Sequence, residues 1–350
     1  MSRIRVAILF GGKSAEHDVS LMSARNVDRA IDREKYYVVL IGITRQGKWL
    51  LIDGEFPQSV PDNGTLISLL PGGKGRAIVL PPSGPAYEIA PVDVLMPVLH
   101  GQFGEDGSVQ GLAEVADIAY VGCGIFGSAA AMDKHQAKSL FAQAGLPVAR
   151  GLTVSRHEPV DVEAIALDLG LPLFVKPVRQ GSSVGVSKAR TTAELRSAID
   201  DALKYDSRVL IEEFIEAREI ELGVLEEEYG RLRVSVPGEI APAAAHGFYS
   251  YEAKYIDADG AALFVPAHLD EGTTMDLQEM AKRAFTTLGC EGMARVDFFL
   301  RPDGRIVINE INTIPGFTDI SMYPKVFAES GIPYPELIDR LIRHALKRAA

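Results

Sequence analysis

One stretch constrains this chain more than any other: "ARVDFFLRPDGRIVINEINTIPGFT", residues 294–318. Two apolar runs of strand character flank Asp303-Gly304, a strong two-residue hairpin signal. If those two residues form the loop, Arg295 faces Asn312 and Asp297 faces Glu310. Side chains alternate along strands, so these four project from one face of the hairpin. Two carboxylates and an amide are hard oxygen donors suited to Mg²⁺ or Mn²⁺, and the guanidinium suits phosphate oxygens. A solvated polar face on an edge hairpin is the plainer alternative. Phe299, Ile306 and Ile308 are read as burying that same face, where paired carboxylates repel unless a cation or proton intervenes.

A second stretch, "LPLFVKPVRQGSSVGVSKA", sets Lys176 inside an otherwise apolar strand, where a charge is costly without an anionic partner. The following loop holds Gly181, Ser182, Ser183 and Gly185, whose N–H and hydroxyl groups suit phosphates. No Walker motif is present, and a Gly/Ser turn alone is often a plain hairpin loop. Coupled to a lysine of buried type, it reads as a nucleotide lid. The segment "LFGGKSAEHDVS" leads from the first strand into a helix without G-x-G-x-x-G. Glu16 and His17 stand at the helix start, with Asp18 or Ser14 as candidate caps. A carboxylate at a strand's C-terminal end also suits an ammonium ligand. His100 ends another strand in "VLHGQFGEDGSVQG", where a structural role is the simpler reading. "RVLIEEFIEAREIEL" places acidic residues around an apolar strand, either as a solvated edge or as an adenine cleft with Glu219 on a ribose. "FYSYEAKY" puts aromatic side chains in a long irregular stretch, which argues for function.

Around these motifs the chain alternates strand and helix signals over its first third, an open and mostly parallel α/β sheet. Residues 53–90, rich in Pro and Gly, read as a surface insertion. A single helix is expected from Ser128 to Gly145. Beyond it the pattern shifts twice, so three units are expected at 1–125, 126–217 and 218–350, α/β followed by α+β. With 36 basic and 47 acidic residues the net charge is −11, which argues against nucleic acid as the main partner. No apolar run reaches the roughly 18–20 residues of a membrane span. The N-terminus lacks a signal-peptide pattern, and Cys123 and Cys290 make no disulfide framework, so a cytoplasmic location is expected.

Taken together, "FGGKSAEHDVS", "HGQFGEDGSVQG", "AMDK", "VKPVRQGSSVGVSK", "IEEFI", "REIEL", "FYSYEAKY", "RVDFFL" and "NEINTIPGFT" resemble the ATP-grasp ligases, and within them the D-alanine–D-alanine ligase family. The resemblance runs from about Arg5 to the C-terminal helix. It implies a three-domain ATP-grasp fold, ATP as co-substrate, two Mg²⁺ or Mn²⁺ ions, two D-alanine molecules and a homodimer in peptidoglycan precursor synthesis.

Carried over residue by residue, it sets Lys134, Lys176 and Lys254 on ATP phosphates, with Ser182 and Ser183 in the lid. Glu212, Glu213, Phe214 and Ile215 would bind adenine and Glu219 the ribose, with Phe299 and Asn309 also in the nucleotide cleft. Asp297, Glu310 and Asn312 would hold the metals. Arg295 and the Gly316 N–H would stabilise the transition state. Glu16, helped by His100, would anchor the first D-alanine; Ser321 and Met322 would take the carboxylate of the second. Tyr255, Ser182 and Glu16 would form a closing triad, and Tyr255 favours D-alanine over D-lactate as nucleophile. Two positions depart from the family pattern: Ser250, where Asp is common, and "LEEEYGRLRV", where a Gly-containing turn is usual. The alternatives are a D-alanine–D-lactate or other D-amino-acid ligase, a non-catalytic nucleotide-binding module, and a dinucleotide oxidoreductase, the last lacking its glycine fingerprint.

Overall fold

A computed structural model describes residues 3–242 and 261–349. Lys254, Tyr255 and Ser250, with the rest of the aromatic stretch, lie outside the described residues.

The first sheet holds β1 (Ile4–Gly11), β2 (Tyr36–Ile43), β3 (Trp49–Ile52), β4 (Leu66–Leu69), β5 (Ala77–Leu80), β6 (Tyr87–Glu88), β7 (Val94–Pro97) and β8 (Ala119–Tyr120), in the order β6-β5-β4-β3-β2-β1-β7-β8. Its heart, β2-β1-β7-β8, is parallel. Strands β1 and β7 are buried almost end to end, as a parallel sheet covered on both faces requires. The region 53–90 is more than the surface insertion expected. It supplies β4, β5 and β6, which continue the sheet as antiparallel strands beyond β3. Their alternating burial, as in Leu66–Leu69, marks strands with one face in solvent, a weak signal among Pro and Gly. Helix α1 (His17–Ala30) follows β1, and α2 (Ser108–Val115) follows β7.

The helix expected from Ser128 is two helices, α3 (Ile125–Met132) and α4 (Lys134–Gln143). Asp133 breaks them apart with an extended backbone, and its side chain caps α4 by accepting from Gln136 N. A second sheet, in the order β11-β10-β12-β9, consists of β9 (Gly151–Ser155), β10 (Leu173–Pro177), β11 (Ser187–Ala189) and β12 (Arg208–Glu213), all antiparallel. Helices α5 (Val162–Leu169) and α6 (Thr192–Ala202) bury Ile165, Leu195 and Ile199 against it.

The third sheet runs β16-β15-β13-β17-β18, with β14 (Leu232–Val234) also on β13. Its other strands are β13 (Arg218–Glu226), β15 (Gly238–Pro242), β16 (Ala261–Phe264), β17 (Met293–Leu300) and β18 (Ile306–Asn312). Helix α7 (Glu271–Thr287) packs Leu277, Ala281 and Phe285 on it. Helices α8 (Met322–Glu329) and α9 (Tyr334–Arg348) turn back on the first sheet, where Phe327, Leu337 and Leu341 share a core with Val6, Ile8 and Met96. That shared core ties the end of the chain to its beginning.

The hairpin β17–β18 keeps the expected pairs, Arg295 with Asn312 and Asp297 with Glu310, by an unexpected route. Its loop is not the two residues Asp303-Gly304 but three, Pro302 to Gly304, closed by Arg301 N donating to Arg305 O at 2.9 Å. Gly304 takes φ +82°, the left-handed position such loops demand. From Leu300–Ile306 to Phe298–Ile308 the register is therefore one residue off, and a bulge between Asp297 and Phe298 restores it. Ile306 and Ile308 consequently bury the opposite face, with Phe298 and Leu300. Only Phe299 shares the polar face, beside Val307 and Ile215.

Candidate functional site

Strands β1 and β7 are adjacent, and the chain leaves them in opposite directions across the sheet, the switch point where open α/β sheets bind ligands. Glu16 and His100 both sit just beyond these strand ends. Glu16 precedes α1 without capping it through its side chain, and neither Asp18 nor Ser14 caps the helix as expected. Instead Ser14 Oγ accepts from Glu16 N at 3.2 Å and donates to His100 O at 2.6 Å, joining the two loops. The Glu16 carboxylate is thus free to face the centre of the molecule, 7 % exposed.

The loop after β10 comes to meet it. Ser182 Oγ donates to Glu16 Oε1, and a Cβ on Gly181 would lie 2.6 Å from Glu16 Oε2. Only a glycine lets this backbone approach the carboxylate so closely. Ser182 and Ser183 both have positive φ, +49° and +58°, a left-handed conformation that costs strain in a non-glycine residue. Lys134 begins α4 and donates from Nζ to Gln180 O at 2.6 Å, with Glu310 Oε2 3.7 Å away.

On the hairpin, Arg295 grips Asp297 in a two-toothed pair, Nε and Nη2 each 2.7 Å from an oxygen, and Nε is also 3.1 Å from Glu221 Oε2. Burial opposes the Arg295 charge, but Asp297 and Glu221 overcome it and hold the guanidinium firmly protonated. Asn312 Oδ1 accepts from Ile314 N at 3.0 Å. The backbone then runs through Gly316 to Ser321 at the N-terminus of α8. Ser321 Oγ accepts from Thr318 N at 3.0 Å, and a Cβ on Gly316 would lie 2.6 Å from that hydroxyl. Glu16, His100, Lys134, Ser182, Arg295, Glu310, Asn312, Gly316, Ser321 and Met322 line one small cavity of about 110 Å³.

A larger cavity of about 500 Å³ opens beside it, between the second and third sheets. Lys134, Lys176, Ser182, Ser183, Phe299, Asn309, Glu310 and the run Glu212 to Glu219 line it. The hairpin bulge explains why the neighbours Asn309 and Glu310 both reach the same space. Lys176 Nζ lies 2.9 Å from Glu212 Oε2 and donates to Asn309 Oδ1 at 3.4 Å. Burial pushes the Glu212 carboxyl up, but Lys138 and Lys176 outweigh it and bring it down to about 2.

His100 is buried with both ring nitrogens engaged, Nδ1 at 3.0 Å from Ile314 O and Nε2 at 3.3 Å from Ser23 Oγ. Burial lowers its pKa, against the opposing charge of Glu16, which favours the neutral ring. It braces two loops as well as lining the cavity.

Among the described residues no group of three or more His, Cys, Asp and Glu side chains is arranged to hold a metal ion. Asp297 and Glu310, with the Asn312 amide, offer oxygen donors from facing strands, a hard set that fits Mg²⁺ or Mn²⁺.

Three groups escaped sequence reasoning. Glu221 follows Glu219 by two, so strand alternation alone sets both on the Arg295 face. Lys138 follows Lys134 by four on one helix, the spacing of a shared face. Glu105 accepts from Gly101 N at 2.5 Å; burial and the nearby Glu16 charge raise its carboxyl to about 8. Nothing in its spacing marks it.

Residues 5–123 match the family model described as D-ala D-ala ligase N-terminus, and residues 140–343 the one described as D-ala D-ala ligase C-terminus. The chain is 58 % identical to the D-alanine--D-alanine ligase A of Mesorhizobium japonicum, over 99 % of this chain and 98 % of that one. Among solved structures, the D-alanine-D-alanine ligase from Coxiella burnetii superposes with a TM-score of 0.87 at 35 % identity, covering 100 % of this chain and 95 % of that one. The VanG D-Ala:D-Ser ligase from Enterococcus faecalis gives 0.86 at 37 % identity, covering 98 % and 100 %.

Proposed function

The chain belongs to the D-alanine–D-alanine ligase family, an ATP-grasp family, and from that premise we propose that it joins two D-alanine molecules at the expense of ATP. The product, D-alanyl-D-alanine, serves peptidoglycan precursor synthesis, and ADP and phosphate are released. One observation carries the reading: Ser182 of the lid loop meets Glu16 of the first sheet directly beside the Arg295 hairpin. An ammonium anchor, a phosphate cradle and a set of oxygen donors thereby border one cavity.

A carboxylate is a poor electrophile, so the first D-alanine is activated as its acyl phosphate. Glu16 pairs with that substrate's ammonium, and the loop braced by His100 supports it. The larger cavity takes ATP, with adenine along Glu212, Glu213, Phe214 and Ile215, the ribose on Glu219, and Phe299 and Asn309 beside the nucleotide. Lys134 and Lys176 meet the phosphates under the N–H groups of Ser182 and Ser183, and Lys254 joins them by family resemblance. Asp297, Glu310 and Asn312 would hold two Mg²⁺ or Mn²⁺ ions, which supply neutralisation of phosphoryl charge when bound. The amine of the second D-alanine attacks the acyl phosphate, and a tetrahedral intermediate expels phosphate. Arg295 and the Gly316 N–H stabilise the oxyanion that develops. The α8 N-terminus at Ser321 and Met322 receives the second carboxylate, where backbone N–H groups and the helix dipole favour an anion. The lid over the cavity keeps water from the acyl phosphate.

Three units at 1–125, 126–217 and 218–350, a homodimer and a cytoplasmic location complete the proposal. Among the described residues no helix is long and apolar enough to cross a membrane. The likeness to a D-Ala:D-Ser ligase keeps another D-amino acid as the second reading. By family resemblance Tyr255 favours D-alanine over D-lactate as the nucleophile. Phosphate release from ATP with D-alanine as sole amino acid, with the product identified by mass, tests the assignment. A depsipeptide as main product near neutral pH when D-lactate is added, or D-alanyl-D-serine in preference when D-serine is added, would overturn it.

A further inference from the structure

Behind the nucleotide cleft lies a lysine with no part in the mechanism above. Lys138 points inward from α4, its side chain 9 % exposed, and its ammonium lies 2.5 Å from Glu212 Oε1. The other Glu212 oxygen is held by Lys176 at 2.9 Å. Glu212 and Lys176 line the cleft and Lys138 is not among its lining residues. Among the described residues Lys138 Nζ and Glu212 Oε1 have no closer partner than each other.

Charge counting gives the arrangement its meaning. A buried carboxylate paired with one lysine cancels that lysine's charge, and in a poorly solvated site the cancellation is nearly complete. Two ammoniums share the Glu212 carboxylate, so it does not cancel either of them alone, and Lys176 is the member that faces the cleft. Glu310 and Glu219 also draw on the Lys176 charge, so relief from Glu212 matters the more.

We infer that Lys138 is a positioning residue for the nucleotide: it shares Glu212 from behind so that this carboxylate does not cancel Lys176 alone, and Lys176 keeps a fixed place for ATP phosphates. This rests on the reading of the cleft as the ATP site. It predicts a larger effect on phosphates than on the base, although Glu212 also borders the adenine position.

The test is to compare wild type with Lys138→Met and Lys138→Arg, titrating each full-length protein with ADP and, separately, with adenosine by calorimetry or competitive inhibition. Lys138→Met should weaken ADP on the order of tenfold or more while adenosine changes less than about threefold. KM for ATP should rise with KM for D-alanine steady. Lys138→Arg should hold ADP within about threefold of wild type. Should Lys138→Met fold poorly, Lys138→Gln carries the same comparison with a polar side chain of similar reach. Equal losses for ADP and adenosine, no loss for either, or Lys138→Arg failing as badly as Lys138→Met would each overturn the inference. A wild-type protein that binds no ADP at all would overturn the ATP reading itself, a distinct result.

Discussion

Two buried ion clusters flank the proposed phosphate position, and they are built in opposite senses. Beneath the cleft, two lysines, Lys138 and Lys176, share the Glu212 carboxylate. On the hairpin, two carboxylates, Asp297 and Glu221, share the Arg295 guanidinium. Under the proposed reading, the cluster richer in ammonium suits an anionic phosphate and the one richer in carboxylate suits a divalent cation, within a chain of net charge −11.

Breaking the carboxylate-rich cluster should have the largest effect. Glu310→Gln keeps the shape and removes a donor charge, and turnover should fall roughly a thousandfold or more with little change in Tm. Phosphate release at the wild-type rate would show that the hairpin carboxylate has no catalytic meaning. Arg295→Met attacks the same cluster from its other side by leaving Asp297 and Glu221 buried without their cation. About 3–5 kcal/mol of stability should be lost, read from urea unfolding. An unfolding midpoint unchanged from wild type would mean that water reaches these carboxylates.

Between the clusters, Ser182→Ala removes the donor to Glu16. We expect KM for D-alanine to rise on the order of tenfold, with KM for ATP less affected. A change confined to ATP would place the loop's role on the nucleotide alone.

The smallest effect concerns Glu105, which sits beside Glu16 and belongs to neither cluster. Its carboxyl is raised to about 8 in the folded protein from 4.5, so the native state holds a proton that the unfolded chain has released across that range. Stability from this group is therefore present below about pH 4.5 and lost as pH rises towards 8. Glu105→Gln should flatten the decline in Tm over that window and raise Tm by a few degrees at pH 8. Identical pH profiles for the two proteins would refute the shifted titration.

The fold was readable wherever a local pattern carried it: the buried parallel strands, the amphipathic helices and the hairpin. The break at Asp133 was overlooked although Asp before Lys-His-Gln is a capping signal, because the apolar spacing runs straight across it. In the antiparallel strands from Leu66 to Glu88 the sheet neighbour overrides a sequence full of turn residues. The hairpin pairing of Arg295 and Asp297 was correct although the loop length was not. A three-residue loop and a bulge offset one another, and a bulge leaves no mark in composition.

By itself the sequence determined which chemistry is available: carboxylates and an amide alternating on a strand, a lysine in an apolar run, a glycine-rich loop and a carboxylate after the first strand. Covalent spacing and alternation fix such relations within about ten residues. Only the tertiary structure decided which charges meet. Glu212 meets Lys138 and Lys176 from two other elements, Arg295 meets Glu221 across a strand pair, and Glu16 meets Ser182 across 166 positions. Those meetings depend on how three sheets pack, and the free energy of a buried charge depends on every partner within a few ångströms rather than on its neighbours in the chain.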